Sequence, residues 1–207
     1  MKFDRTVFFD HYRTVFGPLK QELVNALELL LGRIEQDSRW PQSDTGLRQI
    51  AYALATFKWE TAHTFEPIHE FGSAARFNKL YGPQTKVGQG LGNNKAGDGA
   101  LFHGRGFVQL TGRANYTKAA RLTGEDLLND PDRALVPEIA YNIAVQGMID
   151  GWFTGRKLSQ FIKDGAPPLY DDARTIINGH DQAAKIADIA RRMAEVLRAA
   201  RDAAPQN

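Results

Sequence analysis

Two stretches of the chain carry side chains able to make or break a bond. FKWETAHTFEPIHE, at 57–70, sets Glu60, Glu66 and Glu70 among two histidines and three aromatics. HGRGFVQLTGRANY, at 103–116, sets Arg105, Gln109, Thr111 and Asn115 between glycines and aromatics. Two carboxyl groups in unlike surroundings are what acid–base hydrolysis needs, one to hold a proton and one to activate water. Neutral amides and hydroxyls suit a sugar or a held water. An arginine between two glycines can be approached closely by backbone and suits pairing with a carboxylate. Each feature has an ordinary counterpart: solvated glutamates at a helix end, and polar residues of a turn.

The elements that must position these groups follow from periodicity. Leu47, Ile50, Leu54 and Phe57 form one apolar stripe, which predicts a helix over 47–61 that delivers Glu60. On a helical wheel Glu60 lies about 80° from Ile50, at the stripe's edge, where a carboxyl would be half-buried. Partial burial disfavours the charged form of a carboxyl, as a general acid requires. The residue before Pro67 is pushed out of helical geometry, so Glu66 and Glu70 fall on an irregular segment, and periodicity does not choose between them. Further helices are expected over Pro18 to Ile34, near 116–122, from Pro137 to about Phe153, ahead of IINGHD, and over 181–203. The glycine-rich region 72–112 reads as loops, with FVQL as a short strand. The expectation is a mainly α, single domain over 1–207.

Composition narrows the function. Apolar residues make up 43% and charged residues 24% of the 207, ordinary for a globular protein. A formal charge of +2 with interspersed signs gives no field for nucleic acid. There is no cysteine, hence no disulfide and no thiolate chemistry. The start of the chain does not read as a secretory signal, and no stretch is long and apolar enough to span a membrane. His63 and His69 lack HExxH spacing, and GQGLGNNKAGDG lacks the strand and helix of a phosphate cradle or the acidic spacing of a calcium loop. No cofactor or metal is expected.

Taken in order, WETAHTFEPIHEFG, LGNNKAGDGALFHGRGFVQLTGRANY, GMIDGWFTG and ARTIINGHD resemble the glycoside hydrolase family 19 chitinases and, more closely, their endolysin-like relatives from phages and bacteria. The likeness spans nearly the whole chain. It implies a lysozyme-like, two-lobed α-helical domain with a short β-hairpin and loop region lining a cleft, and an inverting reaction. Glu60 stands at the position of the family's catalytic acid, with Trp59 where a histidine usually precedes it. Glu70 looks like the second carboxylate, and Thr111 stands where a serine helps hold the attacking water. Gln109, Asn115 and Asn178 match substrate-cleft positions, and Arg105 is carried over as a supporting cleft residue. Inversion implies carboxyl groups roughly 6.5 to 9.5 Å apart, with water between. Glu66 is then a bystander.

The resemblance implies cleavage of β-1,4 bonds beside N-acetylglucosamine. A chain without cysteine or a recognisable export signal suits a monomeric endolysin, held in the host bacterial cytoplasm and released onto peptidoglycan, better than a disulfide-braced secreted chitinase. Chitin as substrate, or a catalytically silent glycan-binding relative, are the alternatives. The last helix lines Ile186, Ile189, Met193, Val196 and Leu197 on one face and arginines on the others. It is expected either to dock on the core or, less in keeping with its interspersed acids, to touch an anionic outer membrane.

Overall fold

The computed structural model describes residues 1–205. They form two compact units, Met1–Phe65 with Met148 onward, and Glu66–Gly147. The first unit opens with α1, Arg5–Phe16, and α2, Gln21–Gln36. The interleaved charges of the N-terminal stretch hide α1 from a periodicity reading, yet it buries Phe8, Phe9 and Tyr12. Asp4 caps it by accepting the Val7 N–H at 2.8 Å. Pro18 lies ahead of α2 rather than in its first turn, because Lys20 is the N-cap. α3, Asp44–Glu60, starts at Ser43 and buries every residue from Leu47 to Phe57 except Arg48.

The second unit replaces the expected loops over 72–112 with short helices: α4, Ala74–Tyr81; α5, Lys86–Gly90; and α6, Asp98–Leu101. Ser73 and Thr85 cap α4 and α5 through their hydroxyls. Helices of one or two turns are too short for periodicity to register, and their glycines read as loop. β1, Ile68–His69, pairs antiparallel with β2, Arg105–Gly106, in the register Ile68↔Gly106 and His69↔Arg105. FVQL is not a strand. It is the turn of a tight hairpin, closed by Leu110 N–H to Arg105 O at 2.8 Å and Arg105 N–H to Leu110 O at 3.2 Å. α7, Arg113–Thr123, and α8, Pro137–Asp150, follow, with a single-turn helix at Pro131–Leu135 between them.

The chain then returns to the first unit with α9, Leu158–Phe161; α10, Tyr170–Ala173; a tight turn at Arg174–Ile176; and α11, Ala183–Ala203. α11 packs on α3, α1 and α10. It buries Ile186, Ile189, Met193, Val196 and Leu197, the face that the sequence marks as apolar. Several of its cations are engaged as well: Arg191 with Asp171, Arg201 with Asp44, and Lys185 over the Trp59 ring. No helix among the described residues is long and apolar enough to cross a membrane.

Candidate active site

Glu60 is the last residue of α3, and its side chain is 17% exposed, as its place at the stripe's edge predicts. Its surroundings are not simply apolar. Arg174, 4% exposed, donates from its guanidinium to Glu60 Oε1 at 2.5 Å and from Nε to Asp181 O at 3.1 Å. Two anchors fix the fork, so the carboxyl's orientation is set by a group outside α3. The burial reading of Glu60 left this cation out. Tyr52, on α3, donates to Ala173 O at 2.7 Å and so ties down the residue before Arg174. Burial pushes the Tyr52 hydroxyl up to about 12, which keeps it a donor.

The chain behind Glu60 is held in costly geometry. Ala62, His63 and Phe65 have φ of 51°, 70° and 57°, the left-handed region that side chains with a Cβ avoid. Such positions persist only where surroundings over-determine them. Here Phe65 is 1% exposed, and buried Thr61 accepts the Phe65 N–H at 3.0 Å while donating to Phe57 O at 2.8 Å. This hooked turn, rather than Pro67, ends the helix and fixes where Glu60 stops. Asn178 lies four residues beyond Arg174; it is exposed, its N–H donates to Arg174 O at 3.1 Å, and its Oδ1 accepts from Gly179 N–H.

Glu70 belongs to the second unit and directly follows β1. Its N–H donates to Gly104 O at 2.7 Å, extending the strand pairing. Its carboxylate accepts the Tyr81 hydroxyl on Oε1 at 2.9 Å and the Gly104 N–H on Oε2 at 3.1 Å. Burial, and then the Glu70 carboxylate, push the Tyr81 hydroxyl up to about 12. A Cβ at Gly104 would lie 2.8 Å from Gln109 Oε1 and 3.1 Å from Glu70 Oε2, so a side chain there would push the amide and the carboxylate off their present positions. Glu66 is exposed, on the segment ahead of β1.

The hairpin beside Glu70 gathers the other expected residues. Gln109 sits at φ 53°, a strained position in the turn, and donates to Ile68 O at 3.2 Å and Gly106 O at 3.3 Å. Thr111 donates to Gln109 O at 2.8 Å, and Asn115 donates to Thr111 O at 2.8 Å. All three are partly exposed. Arg105 differs: at 5% exposure it pairs with Asp132 at 2.8 Å and donates to Leu101 O, His103 O and Tyr116 Oη. It does pair a carboxylate, as its glycine-flanked setting suggests, but the carboxylate is Asp132. Its guanidinium ties the hairpin to the end of α6, to Tyr116 and to Asp132.

The GNNKAGDG run is a structural hub. Asp98, 2% exposed, accepts the N–H groups of Asn94 and Lys95 at 2.9 and 3.0 Å and Arg113 Nε at 2.8 Å. The Arg113 guanidinium holds the Asp98 carboxyl at about 2, well below the usual carboxylate range. Asn93 links the Tyr81 carbonyl to the Arg113 N–H, at 2.7 and 2.8 Å, so the end of α4 and the start of α7 share one anchor. Among the described residues no three acidic or histidine side chains gather as a metal site.

Residues 41–160, which carry Glu60, Glu70 and the hairpin, match the family described as chitinase class I, glycoside hydrolase family 19. The chain belongs to that family. Over 79 residues it is 51% identical to the acidic 27 kDa endochitinase of Solanum lycopersicum, a stretch that covers 38% of this chain and 28% of the tomato protein. The chitinase C structure from Streptomyces griseus HUT6037 superposes with a TM-score of 0.60 at 19% identity, over 94% of this chain and 93% of that one. A bacterial family 19 chitinase superposes at 0.52 with 18% identity, over 91% and 93%. At such identity these likenesses speak for the mainly α, lysozyme-like fold. Arg174 and Tyr81 escaped the sequence reading. Arg174 stands inside ARTIINGHD, the motif that carries Asn178, whereas nothing in the sequence around Tyr81 marks it.

Proposed function

We propose that the chain hydrolyses β-1,4 glycosidic bonds beside N-acetylglucosamine with inversion, Glu60 serving as the acid and Glu70 as the base. The observation that carries this is the unlike support of the two glutamates. Glu60 is held through one oxygen by a buried guanidinium, whereas Glu70 is held by two neutral donors. Acid–base hydrolysis needs two carboxyls in unlike environments; which of the two is the acid follows from the family positions that Glu60 and Glu70 occupy. With Oε1 accepting from Arg174, the proton that Glu60 gives to the glycosidic oxygen sits on Oε2. Glu70, with Thr111, directs water at the anomeric carbon, and the leaving sugar departs with the Glu60 proton. Gln109, Asn115 and Asn178 offer amides to the sugar; Arg105 supports the hairpin.

As substrate we propose the glycan strands of bacterial peptidoglycan, in the manner of an endolysin acting from the host cell as a monomer. A chain with no cysteine supports this over a disulfide-braced enzyme. Chitin is the second reading, favoured by the likeness to the tomato endochitinase. The docked apolar face of α11 supports a structural helix, since touching an outer membrane would require it to leave α3. Purified peptidoglycan and chitin digested side by side, with reducing-end analysis, test the assignment. New N-acetylglucosamine or N-acetylmuramic acid ends name the bond, and release from neither leaves only a glycan binder. Glu60→Gln and Glu70→Gln should abolish release and Glu66→Gln should not; an inactive but folded Glu66→Gln beside an active Glu60→Gln overturns the residue roles.

A further inference from the structure

His69 and His103 are joined ring to ring, His69 Nδ1 to His103 Nε2, at 3.1 Å, with their planes within 24°. The tautomers follow from one contact. His103 Nδ1 lies 2.7 Å from Ala100 O, which can only accept, so that nitrogen carries the proton. In the neutral ring Nε2 is then bare, and His69 Nδ1 must donate to it. The chain of bonds runs from His69 through His103 to the carbonyl of Ala100 in α6. On its flat side His103 lies against Phe77 of α4, with centroids 4.6 Å apart and planes at 5°, and Phe77 in turn lies parallel to Tyr81 at 6.4 Å. Tyr81 donates to Glu70, and Glu70 is the covalent neighbour of His69. The contacts therefore close a circuit from Glu70 through His69, His103, Phe77 and Tyr81 back to the Glu70 carboxylate.

We propose that the His69–His103 pair is a positioning element for Glu70, joining the strand that carries the carboxylate to the helices that orient it. The proposal rests on Glu70 being the base. Gly104 already holds the Glu70 backbone and carboxylate together, and the circuit adds a tie from β1 to α4 and α6, which neither the two-residue strand nor the Tyr81 hydrogen bond makes alone. It is also sensitive to protons. One added proton can be shared, with His103 Nε2 donating to His69 Nδ1 once His69 carries its other proton on Nε2; a second sets two N–H groups against each other and breaks the link. The charged groups facing the pair are Arg105 on β2, whose charge opposes protonation, and Glu70 beside β1, which favours it. Burial is the largest influence on His103 and, with Arg105 and His69, holds it below the usual histidine range. The link therefore survives one added proton and is lost only once His103 as well as its neighbour is charged, which the lowered value of His103 places below the ordinary histidine range, about 6.5.

The test uses the full chain on an N-acetylglucosamine hexasaccharide and on purified peptidoglycan, with kcat and KM followed across pH. His69→Leu and His103→Phe, the latter keeping a ring against Phe77, should each lower kcat about tenfold at pH 7 with little change in KM. His69→Asn places an amide donor near the Nδ1 position and should restore most of kcat while flattening the acid side of its pH profile. Because His69 is exposed, His69→Asn folds even if a leucine variant does not. Histidine ring nitrogen–proton correlation spectra need no substrate and should show His103 protonated on Nδ1 at pH 7; protonation on Nε2 there overturns the proposal. Wild-type kcat and pH profile in both His69→Leu and His103→Phe, beside an inactive Glu70→Gln, overturns the positioning role alone. An active Glu70→Gln overturns the base assignment and this role with it.

Discussion

Replacing Asp98 by asparagine keeps the side chain's shape and removes the charge that the hub of the second unit is built on. The carboxylate accepts two backbone N–H groups and the Arg113 fork while only 2% exposed, and it titrates at about 2 against an ordinary 3.8. A group whose folded value is depressed contributes stability that is complete above its unfolded value and lost as pH falls through the folded one. The difference corresponds to about 2 kcal/mol at pH 7 and about 1 kcal/mol at pH 3, where the unfolded carboxyl is mostly protonated and the folded one still is not. Urea unfolding of wild type and Asp98→Asn, followed by circular dichroism at both pH values in low salt, measures it. Asp98→Asn should be less stable by about 2 kcal/mol at pH 7, and the gap should close by about half at pH 3. A gap that is absent at pH 7, or equal at both, refutes the claim that an ionised Asp98 holds α6 to α7. Arg113→Leu should reproduce most of the loss, and the double variant should cost less than the sum, because the two share one interaction.

Arg174→Lys keeps the charge but cannot bond Glu60 and Asp181 O together; kcat should fall by about tenfold to a hundredfold with KM little changed, and wild-type kcat would remove Arg174 from the acid's support. Gly104→Ala forces a methyl onto Gln109 Oε1 and Glu70 Oε2, so steady-state kinetics should show a kcat loss larger than the shift in thermal midpoint. Gln109→Gly relieves the φ of 53° but gives up the amide bonds to Ile68 O and Gly106 O, so the thermal midpoint should move little while activity on either glycan falls. Leu197→Ala, on the buried face of α11, should cost about 2 to 5 kcal/mol in urea unfolding; a near-neutral result would mean that the helix does not depend on its seat against the first unit.

What the sequence determined by itself is what repeats along the chain. The stripe of Leu47, Ile50, Leu54 and Phe57 marks α3 and places Glu60 at its half-buried edge, and the matching stripe of α11 marks the face that docks. The ordered motifs name the family, because residue type and spacing survive where geometry is unseen. α1 was missed because charges interleave its buried aromatics, and α4 to α6 because one or two turns carry too little period. FVQL has strand-like residues, yet a turn with Gln109 in the left-handed region closes there, since the Arg105–Leu110 pairing outweighs local preference. What only the tertiary structure decided is pairing across the chain. Arg174 reaches Glu60 across 114 residues of sequence, Arg105 turns inward to Asp132, and Tyr81 finds Glu70 once α4 is packed. These contacts depend on where helices and turns stop in space, which no local spacing records. They turn glutamates of the right type into carboxylates with one orientation each.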